Sequence, residues 1–165
     1  MNAPWSLLCA VDTAPLRAWL EDTAPPWPTL PDASKPERVR DLPAPLWSDI
    51  VSAVLDVLDP ADHLRAEDVL LARVRPGQSH PMHVDAQPDD HLTRVHVPVL
   101  TNPGVWFEWE DCPGRVHFEA GKAYTFDTTR RHSFGNDGAT DRVHLMFDVR
   151  VSDEVLRRWQ NGGAK

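Results

Sequence analysis

The tripeptide His83-Val84-Asp85 places an imidazole and a carboxylate two positions apart. In a β-strand such residues point to the same side, so both groups can reach one metal ion. Two histidines and one carboxylate leave coordination positions open and are typical of non-haem Fe(II) sites that handle oxygen. The tripeptide alone is a weak signal, because a surface histidine beside an aspartate in a turn gives the same pattern. A third ligand must also come from elsewhere in the chain.

His132 and Arg142 lie ten residues apart on two segments that can form an antiparallel hairpin. His132 could reach the metal while Arg142 lies deeper along the same wall. This arrangement suits a dicarboxylate that chelates the metal at one end and accepts two parallel hydrogen bonds from the guanidinium at the other. The alternative for Arg142 is an exposed strand charge, because arginines are mostly exposed.

In the segment RVHVPVL (94–100), valines occupy every second position and alternate with other residues. Arg94 and His96 would share one face of a strand, and the valines between and after them would face the core. Similar short segments follow residue 65 and are separated by turn signals, at 69–75, 105–110, 115–120, 123–126 and 142–151. This pattern predicts an antiparallel sandwich or barrel. Apolar spacing of three to four residues predicts a helix near Pro15 and a second over 44–58, and residues 153–160 are typical of a terminal helix.

The chain of 165 residues has a formal charge of −8. The length predicts one domain, and the acidity argues against a general nucleic-acid binder or an attraction to anionic membranes. Cys9 and Cys112 are expected to be reduced thiols, which favours a cytoplasmic location. No apolar run approaches the length of a membrane span, and no basic leader precedes the first apolar stretch. The expected partner is a small molecule or a peptide.

The segment 83–149 resembles the aspartyl/asparaginyl β-hydroxylase family of 2-oxoglutarate-dependent dioxygenases. Its motifs occur in order: His83-x-Asp85, Arg94-Val-His96, Trp109, Gly121-Lys122, Tyr124-Thr-Phe-Asp127, Arg131-His132-Ser-Phe-Gly-Asn136-Asp137 and Arg142-Val-His-Leu-Met-Phe-Asp148-Val149. The resemblance implies metal binding by His83, Asp85 and His132, and 2-oxoglutarate binding by Arg142. Arg94 and His96 match further co-substrate contacts of the family. Some members lack the carboxylate, so Asp85 makes this chain similar to those with the full triad.

The resemblance implies a mainly β fold, a double-stranded β-helix (jelly roll, cupin-like) with N-terminal buttressing helices. Within a single domain, 1–62 would form a Pro-rich arm and helices, 66–151 the jelly-roll core, and 152–165 a helix and tail. The expected activity is an Fe(II)-, 2-oxoglutarate- and O2-dependent hydroxylase. It would act on a C–H bond of an amino acid or amino-acyl group and release succinate and CO2.

Two other classes of function remain open. One is a non-enzymatic cupin-like module that binds a metal or a small molecule, and the other is a zinc hydrolase or isomerase on the same fold. Iron-dependent consumption of 2-oxoglutarate separates the hydroxylase from both. His80 is not expected to ligate the metal. The sequence leaves open whether His80, His144, Trp106 or Trp109 lines the substrate pocket.

Overall fold

The computed structural model describes residues 3–23, 25–58, 66–85 and 92–150. Two helices and a 3-10 turn accompany ten strands within these ranges. In chain order the elements are β1 (Trp5–Ala10), α1 (Ala14–Thr23), β2 (Glu37–Val39), the 3-10 turn Ala44–Leu46, α2 (Ser48–Leu58), β3 (Ala66–Val74), β4 (Ser79–His83), β5 (Leu92–Leu100), β6 (Val105–Trp109), β7 (Cys112–Val116), β8 (Lys122–Phe126), β9 (His132–Asn136) and β10 (Arg142–Arg150).

The strands form two antiparallel sheets. The larger sheet has the order β1-β8-β5-β10-β3-β2, and the smaller one has the order β4-β9-β6-β7. Sequence neighbours such as β4 and β5 lie in different sheets, as in a jelly roll. The predicted mainly β fold with N-terminal helices is confirmed. None of the helices in the described ranges has the length and apolar character needed to cross a membrane.

The outer face of the larger sheet carries the main apolar core. Alternate residues of β10, from Val143 to Val149, point to this face and pack with the valines of β5. The helix α2 covers them with an apolar stripe that recurs at four-residue steps, including Ile50, Val54 and Leu58. Because α1 also buries Leu16 here, the N-terminal region buttresses this sheet as expected.

The inner face of the same sheet is directed toward the smaller sheet and carries polar groups. On β10 the alternate residues Arg142 and His144 are almost fully buried on this side, although both are polar. An aromatic cluster lies between the sheets and consists of Phe107, Trp109, Phe118, Tyr124 and Phe126. The inner face is therefore the side on which polar groups that could bind a ligand are enclosed.

The elements differ from the sequence prediction in two respects. The strand expected at 115–120 is β7, Cys112–Val116, because the hairpin turns at Glu110 and Asp111, where Trp109 pairs with Cys112. Pro113 is tolerated because β7 lies at a sheet edge, where a missing N–H costs no ladder bond. The sequence pattern also fails to predict the strands β1, β2, β4 and β9. The predicted helix at 153–160 lies outside the described residues.

Candidate active site

His83 and His132 are brought together by direct strand pairing. They are register partners across the antiparallel pair β4 and β9, and their ring centroids are 4.3 Å apart. Asp85 follows β4, where its N–H donates to the carbonyl of Thr128. One ligand atom from each of the three residues lies within 4.8 Å of the others. The structure thus clusters the three residues that the sequence proposes as metal ligands.

Both histidines keep the same ring nitrogen available to a metal. The Nδ1–H of His83 donates to the carbonyl of Pro81 at 2.8 Å, and the Nδ1–H of His132 donates to the carbonyl of Arg130 at 2.9 Å. A carbonyl only accepts, so Nδ1 must carry a proton, and in the neutral ring Nε2 is the nitrogen that keeps a lone pair. Burial lowers the pKa of His132, which favours the neutral imidazole that a metal needs.

Asp85 is held by an arginine rather than left to rotate. Nη1 of Arg94 donates to Oδ2 of Asp85 at 2.6 Å, and Oδ1 lies 3.4 Å from Nε2 of His83. The remaining donors of Arg94 bind both oxygens of Asp148 at 2.9 and 3.1 Å. Burial acts to lower the pKa of Arg94, but the hydrogen bond and charge of Asp148 outweigh it and raise the pKa. This pairing orients Oδ1 of Asp85 toward His83, as outer hydrogen bonds commonly orient ligands in metal sites.

A pocket runs from this cluster into the space between the sheets. It is partly open to solvent. The lining includes all six predicted site residues. The full lining set is Pro36, Arg38, His80, His83, Asp85, Arg94, His96, Phe107, Phe126, His132, Phe134, Arg142 and Met146.

Arg142 lies in the pocket with only 2% of its surface exposed. Its guanidinium carbon is 5.1 Å from the ring centroid of Phe107 and 5.4 Å from that of Phe134. Nη2 donates to Nδ1 of His144 at 2.9 Å, and the buried Nε has no hydrogen-bond partner among the described residues. Burial without a paired carboxylate lowers the pKa of Arg142 to about 9. A buried cation of this kind is costly unless an anion pairs with it.

His96 and His144 lie next to Arg142 as neutral rings. His96 stacks on Phe126 with ring centroids 4.2 Å apart and lines the pocket. His144 accepts the Arg142 hydrogen bond through Nδ1, which places its proton on the buried Nε2. Burial holds the pKa of both histidines well below the usual value, with the charge of Arg142 acting in the same direction.

His80 lines the pocket but is not part of the metal-ligand cluster. Its Nδ1 is bonded to the carbonyl of Ser34 at 2.8 Å. The ring is therefore tied to the segment that precedes β2, and the three-residue cluster forms without it. That His80 does not ligate the metal stays a prediction.

The two tryptophans considered from the sequence do not line this pocket. Trp106 stacks under Arg115 at the surface, with its ring centroid 3.7 Å from the guanidinium carbon. Trp109 is buried beside His132, with ring centroids 6.4 Å apart. Among the four residues whose role the sequence leaves open, His80 alone is in the pocket lining formed by the described part of the chain.

A model of the family described as aspartyl/asparaginyl beta-hydroxylase matches residues 44–151. The chain belongs to this family. The resemblance proposed from the motifs is therefore confirmed. Among curated proteins, none matches the chain.

Solved structures of oxygenases share the fold of this family member. The viral collagen prolyl hydroxylase of Paramecium Bursaria Chlorella virus-1, in a 2OG complex, is 15% identical with a TM-score of 0.66, over 92% of this chain and 98% of that one. A Pseudomonas putida prolyl-4-hydroxylase is 15% identical with a TM-score of 0.62, over 92% and 94% of the two chains. The family description indicates a hydroxylase-type enzyme, and the cluster of His83, Asp85 and His132 could hold a metal ion.

Sequence reasoning missed two features of the pocket. Pro36 and Arg38 line it although they precede the family-matched region, and nothing in the motif spacing connects them to the histidines. The second missed feature is the pairing of Arg94. This residue lines the pocket as expected, but its guanidinium forms ion pairs with two carboxylates of the protein, Asp85 and Asp148. The prediction that Arg94 and His96 contact the co-substrate stays a prediction.

Proposed function

We propose that this protein is an Fe(II)- and 2-oxoglutarate-dependent hydroxylase that acts on a C–H bond of an amino acid or amino-acyl substrate. His83, Asp85 and His132 would hold the metal, and Arg142 would bind the distal carboxylate of 2-oxoglutarate. The proposal is supported above all by Arg142, which is buried in the pocket without a paired carboxylate in the described part of the chain.

The donor set fits Fe(II). Two histidine Nε2 atoms and one carboxylate oxygen can occupy three positions around a metal and leave the others for ligands. When bound, iron and 2-oxoglutarate would together supply the oxidising chemistry that places one oxygen atom of O2 in the substrate, with release of succinate and CO2. The protein's contribution is to position these groups and to enclose them.

Each inner residue has a distinct role in this proposal. Arg142 supplies the positive charge and the unpaired Nε–H for a carboxylate, while His144 fixes the guanidinium through Nη2. Arg94 keeps Asp85 from turning away from the histidines. The phenylalanine rings that line the pocket between these polar groups exclude water, which strengthens the charge pairing.

A cupin-like binding module or a zinc hydrolase on the same fold needs a metal cluster but not a buried arginine in the pocket. Neither class explains why the fold encloses the guanidinium of Arg142 with one neutral histidine as its hydrogen-bond partner in the described residues. A dicarboxylate co-substrate does explain it, because the second carboxylate would provide the missing counter-charge.

The test is anaerobic titration of 2-oxoglutarate into the Fe(II)-loaded protein. Arg142→Ala removes one partner of a buried charge pair, which costs about 2–5 kcal/mol, or roughly 30- to 4,000-fold in affinity. Arg142→Lys should recover part of this loss, since an ammonium lacks the two-pronged geometry. Fe(II) affinity should not change. The exposed Arg115→Ala serves as the matched control, and equal 2-oxoglutarate affinity in wild type and Arg142→Ala would refute the proposal.

A further inference from the structure

The pocket contains more positive charge than one co-substrate needs. Its lining includes Arg38, Arg94 and Arg142, while Asp85 is the carboxylate among the lining residues. Arg94 is paired with Asp85 and with Asp148. Arg142 is assigned to 2-oxoglutarate under the proposed function, so Arg38 is the lining arginine to which no binding partner has been assigned.

Arg38 forms no hydrogen bond and no ion pair with any residue in the described ranges. Partial burial of its guanidinium lowers its pKa, and the neighbouring cations Arg94 and Arg40 lower it further, while Asp85 and Asp68 act in the opposite direction. Both of these carboxylates already bind another arginine, Asp85 through Arg94 and Asp68 through Arg40. The charge of Arg38 is therefore available to an incoming anion.

The strand β2 positions Arg38 on the pocket side of the larger sheet. Arg38 is the register partner of Ala72 on β3. Ala72 packs with Leu70 and Met146 in a small apolar cluster on the inner face, and Met146 also lines the pocket. Pairing with β3 therefore brings the guanidinium of Arg38 to the pocket wall.

The residues on either side of Arg38 hold β2 in place. Glu37 and Val39 are both buried. Glu37 forms ion pairs with Arg73 and Arg75, which tie β2 to the neighbouring strand and the turn that follows it. The backbone at Arg38 is consequently fixed from both sides.

The segment just before β2 is attached to the same region. Nε2 of Gln78 donates to the carbonyls of Ala33 and Lys35, both at 2.7 Å, and Nδ1 of His80 is bonded to the carbonyl of Ser34. A cation on a segment held in this way can select a ligand group, because little backbone freedom is lost when the ligand binds.

We propose that Arg38 is a specificity-determining residue that binds a carboxylate of the substrate, at the open end of the pocket, away from the enclosed Arg142. The pocket would then take two anions, with 2-oxoglutarate at the buried arginine and the substrate at the exposed one. This inference rests on the proposed function for the identity of the reaction. It narrows the substrate to amino acids or peptides that present a free carboxylate near the oxidised carbon.

The test measures binding rather than turnover. The full-length protein is loaded with Fe(II) and 2-oxoglutarate without oxygen and titrated calorimetrically with the L-amino acids and their carboxamides. The N-acetyl carboxamides of aspartate and glutamate are included, since they keep only a side-chain carboxylate. In wild type, at least one carboxylate compound should bind roughly 10- to 100-fold more tightly than its neutral amide, as expected for a charge-assisted hydrogen bond.

Arg38→Gln should abolish this preference, and Arg38→Lys should retain part of it. Arg115→Gln is the control, because Arg115 is an exposed arginine that pairs with Asp137 and Glu108 and does not line the pocket; it should retain the full preference. If free amino acids lose affinity on amidation, the α-carboxylate is the group bound, and if the N-acetyl carboxamides bind, it is the side-chain carboxylate.

The inference is overturned if no carboxylate compound binds wild type, if the amides bind equally well, or if Arg38→Gln keeps the preference. Metal and 2-oxoglutarate affinities are measured on the same samples and should not change in Arg38→Gln. Failure of wild type to bind 2-oxoglutarate would instead refute the proposed function, so the two failures are distinguishable.

Discussion

Arg142 and Leu145 lie three residues apart on β10, and both are almost completely buried, but they face opposite sides of the larger sheet. Leu145 belongs to the apolar cluster under α2, where burial itself stabilises the fold. Arg142 enters the pocket with an unpaired Nε and a pKa lowered by burial to about 9. The same strand therefore carries one residue whose burial is favourable and one whose burial costs free energy.

This difference separates the residues that stabilise the fold from those that prepare the site. A buried polar group without a partner in the protein can be kept in a binding site because the ligand supplies the missing partner. In the ligand-free protein, such a group lowers the free energy of unfolding. Substitutions on the two faces should accordingly have opposite effects on stability and different effects on binding.

The largest effect on stability is expected on the outer face. Leu145→Ala leaves a cavity in a fully buried site and should lower the free energy of unfolding by about 2–5 kcal/mol. The affinity of the remaining folded protein for 2-oxoglutarate should stay the same. Denaturant unfolding measures the change. The half-exposed Val57 on α2 provides the control, since Val57→Ala should change stability by less than about 0.5 kcal/mol.

A substitution of Arg142 on the inner face should change the stability in the opposite direction. Arg142→Met replaces a buried, unpaired cation with an apolar side chain and should raise the stability of the ligand-free protein by about 1–4 kcal/mol. Because the folded pKa is lowered, the cost of the charge is fully present below about pH 9, so the measurement belongs near neutral pH. A loss of stability in this variant would mean that Arg142 is well satisfied in the fold.

A substitution of Arg94 tests whether an inner-face arginine that is already paired with carboxylates has a different role from Arg142. Arg94 is paired with two carboxylates, so Arg94→Gln should leave Asp85 free to rotate and lower the affinity for Fe(II) about 10- to 100-fold. Competition with a chromophoric chelator measures this affinity. Arg40→Gln breaks a comparable but exposed ion pair and should leave metal affinity unchanged. An unaltered site in Arg94→Gln would limit the role of Arg94 to packing.

The smallest effect is a dependence on pH. 2-Oxoglutarate requires the cationic form of Arg142, which is present below about pH 9 and lost as the pH rises through that value. Affinity should be level up to about pH 8 and then fall by about tenfold per pH unit above 9, because binding then requires uptake of one proton. Metal occupancy is followed in parallel as the control. An affinity that stays level to about pH 11 would mean that the charge persists in the free protein.

Alternation in the sequence predicts the strands that have one apolar face and one polar face, as on β5 and β10. It does not predict β4 and β9, because both are short and combine histidines with small residues instead of alternating. It also does not predict β2, three residues long, whose position depends on ion pairs between Glu37 and the distant residues Arg73 and Arg75. Such contacts leave no periodic pattern in the chain.

Within the candidate site, motif order predicts that the metal-ligand candidates and Arg142 share one pocket, and the structure brings them together. Motif order does not reveal the pairing of Arg94 with Asp85, since a guanidinium at the same location can face either a ligand or a protein carboxylate. Arg38 is distant in sequence from His83 and Asp85, and the pairing of β2 with β3 brings it to the pocket. A contact of this kind depends on the tertiary fold and cannot be read from local spacing.

The hydrogen bonds that fix the two histidine rings have an evolutionary consequence. Each Nδ1–H donates to a main-chain carbonyl two residues earlier in the chain, that of Pro81 for His83 and that of Arg130 for His132. Every amino acid supplies that carbonyl, so side-chain replacement at position 81 or 130 does not remove the acceptor. Substitutions at these neighbouring positions should therefore leave the orientation of the metal-facing nitrogens unchanged, as long as the local backbone conformation is kept.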